Sequence, residues 1–366
     1  MQLTVITSNI NKQSGWGRYS SAIISEYPNF SIDCRVITDK GYGKCGNEDN
    51  ILLSLDNVAN FFRNLFRVRK LARSSDIVHA FDGWPYAVYG YAAVWGTKKK
   101  LFINGVGTYS VEPFNNLAKA FLLSLAYRRA KNIFCISNYT KKKILGKIKL
   151  NNILTVFLGV PDLPLISDLE IGQYKIKYKI NDEYPIFLTV GSLKNRKGQY
   201  DSLQAISKLK REYPKFKYFM IGSDVDKNYI RLIKDFAATE NIADKIEIIG
   251  AADDKILSFF YQISDIFLLN SNNTGDSFEG FGLVLLEAAC FGLPVIASRD
   301  CGIEDALRDG YNGYLVGQHD HDDVADRIKL LLKQDKKKLA ENSRNFAGEF
   351  SWRQTVSKYY EYYQKN

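Results

Sequence analysis

The sequence predicts an α/β protein of two domains, each built on a parallel sheet and facing the other across a cleft. Short apolar runs alternate with stretches of helical spacing along most of the chain, the pattern of parallel strands joined by crossover helices. A length of 366 residues exceeds one ordinary core and suits two. Residues 158–184 interrupt the alternation with Leu158-Gly-Val-Pro161-Asp-Leu-Pro and a polar, Lys- and Tyr-rich segment, read as a crossing between domains. The expected division is 1–165, then 166–350, then a last helix over 351–366 that packs back on the first domain.

Taken in order, residues 3–8 read as a buried strand, followed by the loop Asn9 to Ser14 and by Gly15-Trp-Gly17-Arg-Tyr at the start of a helix. Strands follow at 34–38, 76–81, 101–107, 132–137 and 152–157, with helices near 56–73 and 114–130 and a capped helix after Ser137. The second series starts at Tyr184-Pro-Ile-Phe-Leu-Thr-Val190 and has further strands at 218–223, 245–250, 265–270 and from Val295. Its helices are expected near 200–212, 226–240, 254–262, 321–333 and 335–348. The final helix, 352–364, carries Tyr359, Tyr360, Tyr362 and Tyr363.

The formal net charge is +10, but residues 1–160 carry 22 Lys+Arg against 9 Asp+Glu while the remainder carries 28 against 31. Basic clusters at Arg67-Val-Arg-Lys70, Lys98–Lys100, Arg128-Arg-Ala-Lys131 and Lys141–Lys143 are interleaved with Phe61, Phe62, Phe66 and Phe121. Together they point to an anionic partner, lipid headgroups or nucleic acid. Five cysteines (Cys34, Cys45, Cys135, Cys290, Cys301) are widely spaced and form no C-x-x-C, which reads as reduced thiols in the cytoplasm and no zinc site. Neither a signal peptide nor a transmembrane helix is expected.

Loops after strands in such sheets bind ligands, and this chain puts glycines there: Gly15 and Gly17, Gly105 and Gly107, Gly191 and Gly198, Gly222, Gly250, Gly280 and Gly282. Each alone is as often a plain turn; the repetition favours a loop-lined cleft. Arg196 and Lys197 precede Gly198, and two cations beside free backbone donors suit a diphosphate. Glu279 stands before the turn Gly280-Phe281-Gly282-Leu283, and Glu287 stands inside the apolar helix that follows. A carboxylate there needs a partner. The pair reads less well as general acid and base than as acceptors for sugar and ribose hydroxyls. His79 reads more readily as a satisfied core histidine than as a catalyst. The His319-Asp-His321-Asp-Asp run reads as a solvated acidic stretch rather than a metal site.

The stretch Phe-Glu279-Gly-Phe-Gly-Leu-Val-Leu-Leu-Glu287-Ala, followed by Gly-Leu-Pro-Val-Ile-Ala-Ser, resembles the signature of retaining family-4 glycosyltransferases, which have two Rossmann-like domains in the GT-B arrangement. Gly-Trp-Gly-Arg-Tyr-Ser, Cys-Ile-Ser-Asn-Tyr-Thr-Lys, Arg-Lys-Gly and Asp-Gly-Tyr-Asn-Gly-Tyr-Leu-Val are similar to other family stretches. The resemblance implies that Glu279 holds donor-sugar hydroxyls with the backbone N–H groups of Phe281, Gly282 and Leu283. Glu287 would hold the ribose, Lys197 and Gly17 the diphosphate, and the Gly250 loop would flank the base. Two positions depart from the family pattern. Ser192 stands where an Arg is usual, with Arg196 as its substitute, and Asn104 stands where many members have His. Asn104 and His79 are the candidate acceptor contacts.

The expected function is retaining transfer of a hexose from a nucleoside diphosphate sugar to a glycan or polyprenyl-diphosphate-linked acceptor, in polysaccharide, lipopolysaccharide or glycolipid synthesis. No metal or other cofactor is expected, because cations and helix dipoles can stabilise the leaving group. The protein is expected in the cytoplasm, with peripheral contact to the anionic inner membrane face. A GT-B epimerase or phosphorylase is the alternative enzyme. A nucleic-acid-binding protein with a basic face leaves Glu279 and Glu287 unexplained, and no nucleic-acid motif is present.

Overall fold

The computed structural model describes residues 1–12, 14–39, 51–55 and 57–365; Gln13 and Cys45 lie outside them. The chain forms two compact units, Met1–Gly159 together with Phe350–Asn366, and Val160–Glu349.

The first unit runs β1 (Gln2–Ile6), α1 (Gly15–Glu26), β2 (Asp33–Asp39), β3 (Ile51–Leu52), α2 (Val58–Leu71), β4 (Ile77–Ala80), α3 (Val88–Val94) and β5 (Lys100–Gly105). It continues with α4 (Thr108–Val111), α5 (Leu117–Arg129), β6 (Asn132–Cys135), α6 (Asn138–Lys147) and β7 (Ile153–Thr155). Its sheet has the order β3-β2-β1-β4-β5-β6-β7, with parallel pairing throughout. The order reverses between β1 and β4, where ligands enter open α/β sheets. The expected cap after β6 is present: the Ser137 side chain accepts from the Thr140 N–H, satisfying an orphan donor of the first turn.

The second unit begins with α7 (Asp168–Lys177), then β8 (Ile186–Val190), α8 (Gln199–Ser207), β9 (Lys217–Ile221), α9 (Lys227–Thr239), β10 (Ile246–Ile249) and α10 (Asp254–Ile263). β11 (Ile266–Leu269), α11 (Leu283–Cys290), β12 (Val295–Ser298), β13 (Gly313–Val316), α12 (His321–Lys333) and α13 (Lys336–Ala347) follow. The sheet order is β10-β9-β8-β11-β12-β13, again all parallel. It reverses between β8 and β11. The helix α7 lies within 158–184, the segment read as a crossing between domains, and is an element the sequence reading did not name. Ser167 and Glu170 form a capping box, which fixes a helix start even though none of its residues is buried.

The last helix, α14 (Trp352–Gln364), belongs to the first unit. Val356, Tyr359 and Tyr363 are fully buried, one apolar stripe at helical spacing. Tyr359 stacks on Phe134 of β6 at 4.6 Å, and Tyr363 meets Phe102 of β5 edge-on at 4.9 Å. The Tyr363 hydroxyl lies 2.6 Å from His79 Nδ1 of β4. Behind it, His79 Nε2 lies 2.8 Å from Asn104 Oδ1, and Asn104 Nδ2 donates to the Tyr19 hydroxyl of α1. An amide oxygen only accepts, so His79 Nε2 carries the proton and Nδ1 accepts from Tyr363. Burial holds the His79 imidazole down at about 3, which keeps it neutral.

Candidate active site

The loop leaving β8 carries the cations. The Lys197 side chain runs alongside Gly191, where a Cβ would meet its Cε at 3.4 Å, an ordinary contact. A short 3₁₀ turn, Asn195–Lys197, then ends at Gly198 with φ +67°. Any side chain at Gly198 is strained there and would also strike the Asn270 carbonyl at 1.7 Å. Gly198 is thus needed for the chain to turn from the cation loop into α8.

The Glu279 carboxylate closes on this loop. Its Oε2 accepts from Arg196 Nη1 at 2.7 Å and from Lys197 Nζ at 2.8 Å. The three side chains are 20%, 13% and 13% exposed for Arg196, Lys197 and Glu279. Burial pushes the Glu279 carboxyl up, but Lys197 and Arg196 outweigh it and hold the group down at about 2. Lys194, in the same loop, is lowered by burial and then by the Arg196 and Lys197 charges. The site therefore holds more positive charge than its one carboxylate cancels.

Backbone and polar contacts fix both partners. Phe278 and Phe281, on either side of Glu279, are buried, and the Glu279 carbonyl accepts from the Gly302 N–H at 2.8 Å. The Arg196 carbonyl accepts from the Asn272 N–H at 2.9 Å. Asn272 Nδ2 donates to Asp201 Oδ2 at 2.7 Å. Asp201 Oδ1 lies 2.8 Å from His319 Nδ1 and 3.1 Å from His321 Nε2. No group of His, Cys, Asp and Glu suited to a metal ion occurs among the described residues.

Gly282, at φ +77°, caps α11 without a side-chain hydrogen bond. The first-turn N–H groups of that helix, at Leu283 and Val284, are thus left for a ligand or water. Glu287, one turn along, is 3% exposed and accepts from the Tyr261 hydroxyl at 2.8 Å. It lines a cavity of about 330 Å³ with Val160, Pro161, Leu163, Cys290 and Phe291. Ser192 Oγ accepts from Ser223 Oγ at 3.2 Å. A Cβ at Gly250 would meet nothing within 4 Å, so the loop after β10 is open. The structure therefore brings Arg196, Lys197 and Glu279 into one cluster, and sets Glu287 on the helix that starts beside them.

The predicted residues of the first unit behave differently. His79 and Asn104 are fully buried and bonded to each other. Their place as acceptor contacts is therefore corrected to that of a core network tying α1 and α14 to the sheet. The Gly17 N–H is taken by Ser14 Oγ at 3.0 Å, so it caps α1 rather than standing free for a phosphate. A Cβ at Gly17 would strike the Asn11 carbonyl at 2.1 Å, whereas Gly15 is open.

Three residues were missed. Tyr261 is the partner that the buried Glu287 required. Asp201 stands three residues after Gly198, in the first turn of α8, and a carboxylate so near Arg-Lys-Gly was the available signal. Asp82 follows β4 at the sheet's reversal point. It accepts from the Gly83 N–H at 2.7 Å and from Ser110 Oγ, and its Oδ2 is buried without a partner. Burial raises this carboxyl to about 7. The signal was a carboxylate at a strand's C-terminal end, in Ala-Phe-Asp82-Gly.

Two parallel-sheet units, with cations and an uncapped helix start gathered at the C-terminal edge of the second, define a class of protein that handles phosphorylated ligands. Residues 170–347, nearly all of the second unit, match the family described as Glycosyl transferases group 1, and the chain has the GT-B fold of the glycosyltransferase structures it superposes on. A curated relative from Methanocaldococcus jannaschii, an uncharacterized glycosyltransferase, is 27% identical over 77% of this chain and 73% of its own length. The N-acetyl-α-D-glucosaminyl L-malate synthase of Bacillus anthracis is 25% identical over 78% of this chain and 73% of its own. The crystal structure of Anabaena HepE in complex with UDP and glucose superposes with a TM-score of 0.80 at 15% identity, covering 100% of both chains.

Proposed function

We propose that this enzyme transfers a hexose, with retention, from a nucleoside diphosphate sugar to a glycan or polyprenyl-diphosphate-linked acceptor. The product would be a surface polysaccharide or glycolipid. The observation that carries the reading is the convergence of Arg196 and Lys197 on Glu279 beside the open start of α11. The Anabaena neighbour was solved with UDP and glucose, which supports a donor of that class.

In this reading Arg196 supplies a planar fork and Lys197 a point charge to the diphosphate. The N–H groups at Leu283 and Val284 add the positive end of α11. These groups act most strongly as negative charge develops on the leaving phosphate, and that difference is what accelerates the reaction. Once phosphate oxygens occupy the cations, Glu279 is free to accept from hydroxyls of the donor sugar. Glu287, with Tyr261 already on one oxygen, accepts from the ribose diol, and the open Gly250 loop flanks the base. The leaving phosphate takes the proton of the acceptor hydroxyl as that hydroxyl attacks from the same face. The fixed cations supply the charge stabilisation, so we propose turnover without a metal; unchanged rates in excess EDTA are the expected result.

We place the enzyme in the cytoplasm at the inner membrane face. Phe62, Phe66, Leu117 and Phe121 are exposed on α2 and α5, among Arg63, Arg67, Lys70 and Lys119. No carboxylate occurs between Glu112 and Asp162. Apolar side chains set among cations suit an anionic lipid surface. No helix among the described residues is long and apolar enough to cross a membrane. The direct test of function is release of nucleoside diphosphate, screened across nucleotide sugars, with Lys197→Ala as the control that must lose it.

A further inference from the structure

We propose that Glu279 is an internal competitor of the diphosphate, a built-in carboxylate that tilts the site toward the sugar-linked donor and away from the free nucleoside diphosphate left after transfer. This rests on the donor-site reading above.

The geometry gives the competition. A single oxygen, Oε2, takes both cations, at 2.7 and 2.8 Å. A phosphate can reach the same Arg196 Nη1 and Lys197 Nζ only by displacing that oxygen or sharing them with it. The carboxyl, held at about 2, is ionised at any working pH, so the competitor is always charged. Both cations are largely enclosed, where charge interactions are weakly screened.

The charge count gives the direction. Lys194, Arg196 and Lys197 bring three cations to the loop, and Glu279 offsets one of them. The surplus matches a sugar-linked diphosphate, which has one ionised oxygen on each phosphate. Breaking the sugar–phosphate bond exposes a terminal phosphate whose second ionisation has a pKa of about 6. Once the proton taken from the acceptor hydroxyl has passed to solvent, the product carries more negative charge than the donor. With Glu279 present, that last charge meets no unmatched cation. Without Glu279, it does, and the product is held. The same carboxylate that waits for the sugar hydroxyls thus also speeds departure of the leaving group.

The test is calorimetric titration of UDP and of inorganic pyrophosphate into the whole protein, for wild type, Glu279→Gln, Glu279→Asp and Lys197→Ala, at low and high salt. Pyrophosphate keeps the test independent of the base. Glu279→Gln keeps the shape and removes the charge. It is expected to bind pyrophosphate or UDP several-fold to tenfold more tightly than wild type at both salt concentrations, while sugar transfer falls. Glu279→Asp keeps the charge and is expected to bind close to wild type, and Lys197→Ala is expected to lose most binding. Equal or weaker binding in Glu279→Gln, with Lys197→Ala still defective, overturns the proposal and leaves Glu279 as a brace for the cations. Tightening of the same size in Glu279→Asp also overturns it, since charge would not be the cause. If Lys197→Ala binds both anions as wild type does, the donor-site reading itself fails.

Discussion

Lys197→Ala separates catalysis from folding. The ammonium sits 2.8 Å from Glu279 Oε2 and is 13% exposed, so it acts where solvent damps it little. Removing one such preorganised group costs about 10²–10³ in kcat, or roughly 2.7–4 kcal/mol of transition-state stabilisation. Glu279 keeps Arg196 at 2.7 Å, so the carboxylate is not stranded and the fold survives. KM for the donor is expected to move less than kcat, because the group acts most on charge that develops late. The assay is single-turnover transfer from a labelled nucleotide sugar, with the thermal midpoint measured alongside. A kcat within about threefold of wild type, with an unchanged midpoint, refutes the argument.

Other expectations follow from the same geometry. Asp82 has its folded pKa raised to about 7 from 3.8, so between those values the folded state holds a proton that the unfolded chain has lost. Stability should therefore fall as pH rises from about 4 to 7, and Asp82→Asn should flatten that slope, by a few kcal/mol at most, in urea melts at pH 5 and 8. Glu279 has the opposite sign: its pKa is lowered to about 2 from 4.5. Its stabilisation is present above the unfolded value and is lost as pH falls toward 2, a loss that acid titration of Glu279→Gln should lack. Tyr359→Ala removes a fully buried ring stacked on Phe134 and should cost about 3–5 kcal/mol in chemical unfolding. Phe66→Ser together with Arg67→Ser should release the protein from anionic vesicles in sedimentation without changing donor hydrolysis; equal retention would place the lipid contact elsewhere.

Much of the fold could be read from local signals. The apolar runs of β1, β4, β8 and β11 announce strands, and Ser137 announces the start of α6. The helix α7 escaped because its residues are not buried and its start rests on the Ser167–Glu170 box, while the Lys- and Tyr-rich composition around it looked irregular. At the site, Arg196, Lys197, Glu279 and Glu287 were legible because charges in apolar or glycine-rich settings require a reason. That Arg196 and Lys197 share one oxygen of Glu279 was not legible, since a contact between β8 and β11 loops depends on the sheet order. The core reading of His79 holds, but His79 and Asn104 as acceptor contacts misled for the converse reason. A polar residue on a strand looks available until the residues covering it are known, and here the cover, Tyr363, comes from the far end of the chain.

That cover has a consequence for how the molecule is made. The residues that complete the core around His79 emerge from the ribosome only after the whole of Val160–Glu349. The second unit can close as a unit while the first still waits with an open polar seam. A truncation just before Trp352 would therefore be, in physical terms, a lesion in the middle of the first sheet. It would leave the cluster of Arg196, Lys197 and Glu279 folded but attached to a half-built first unit.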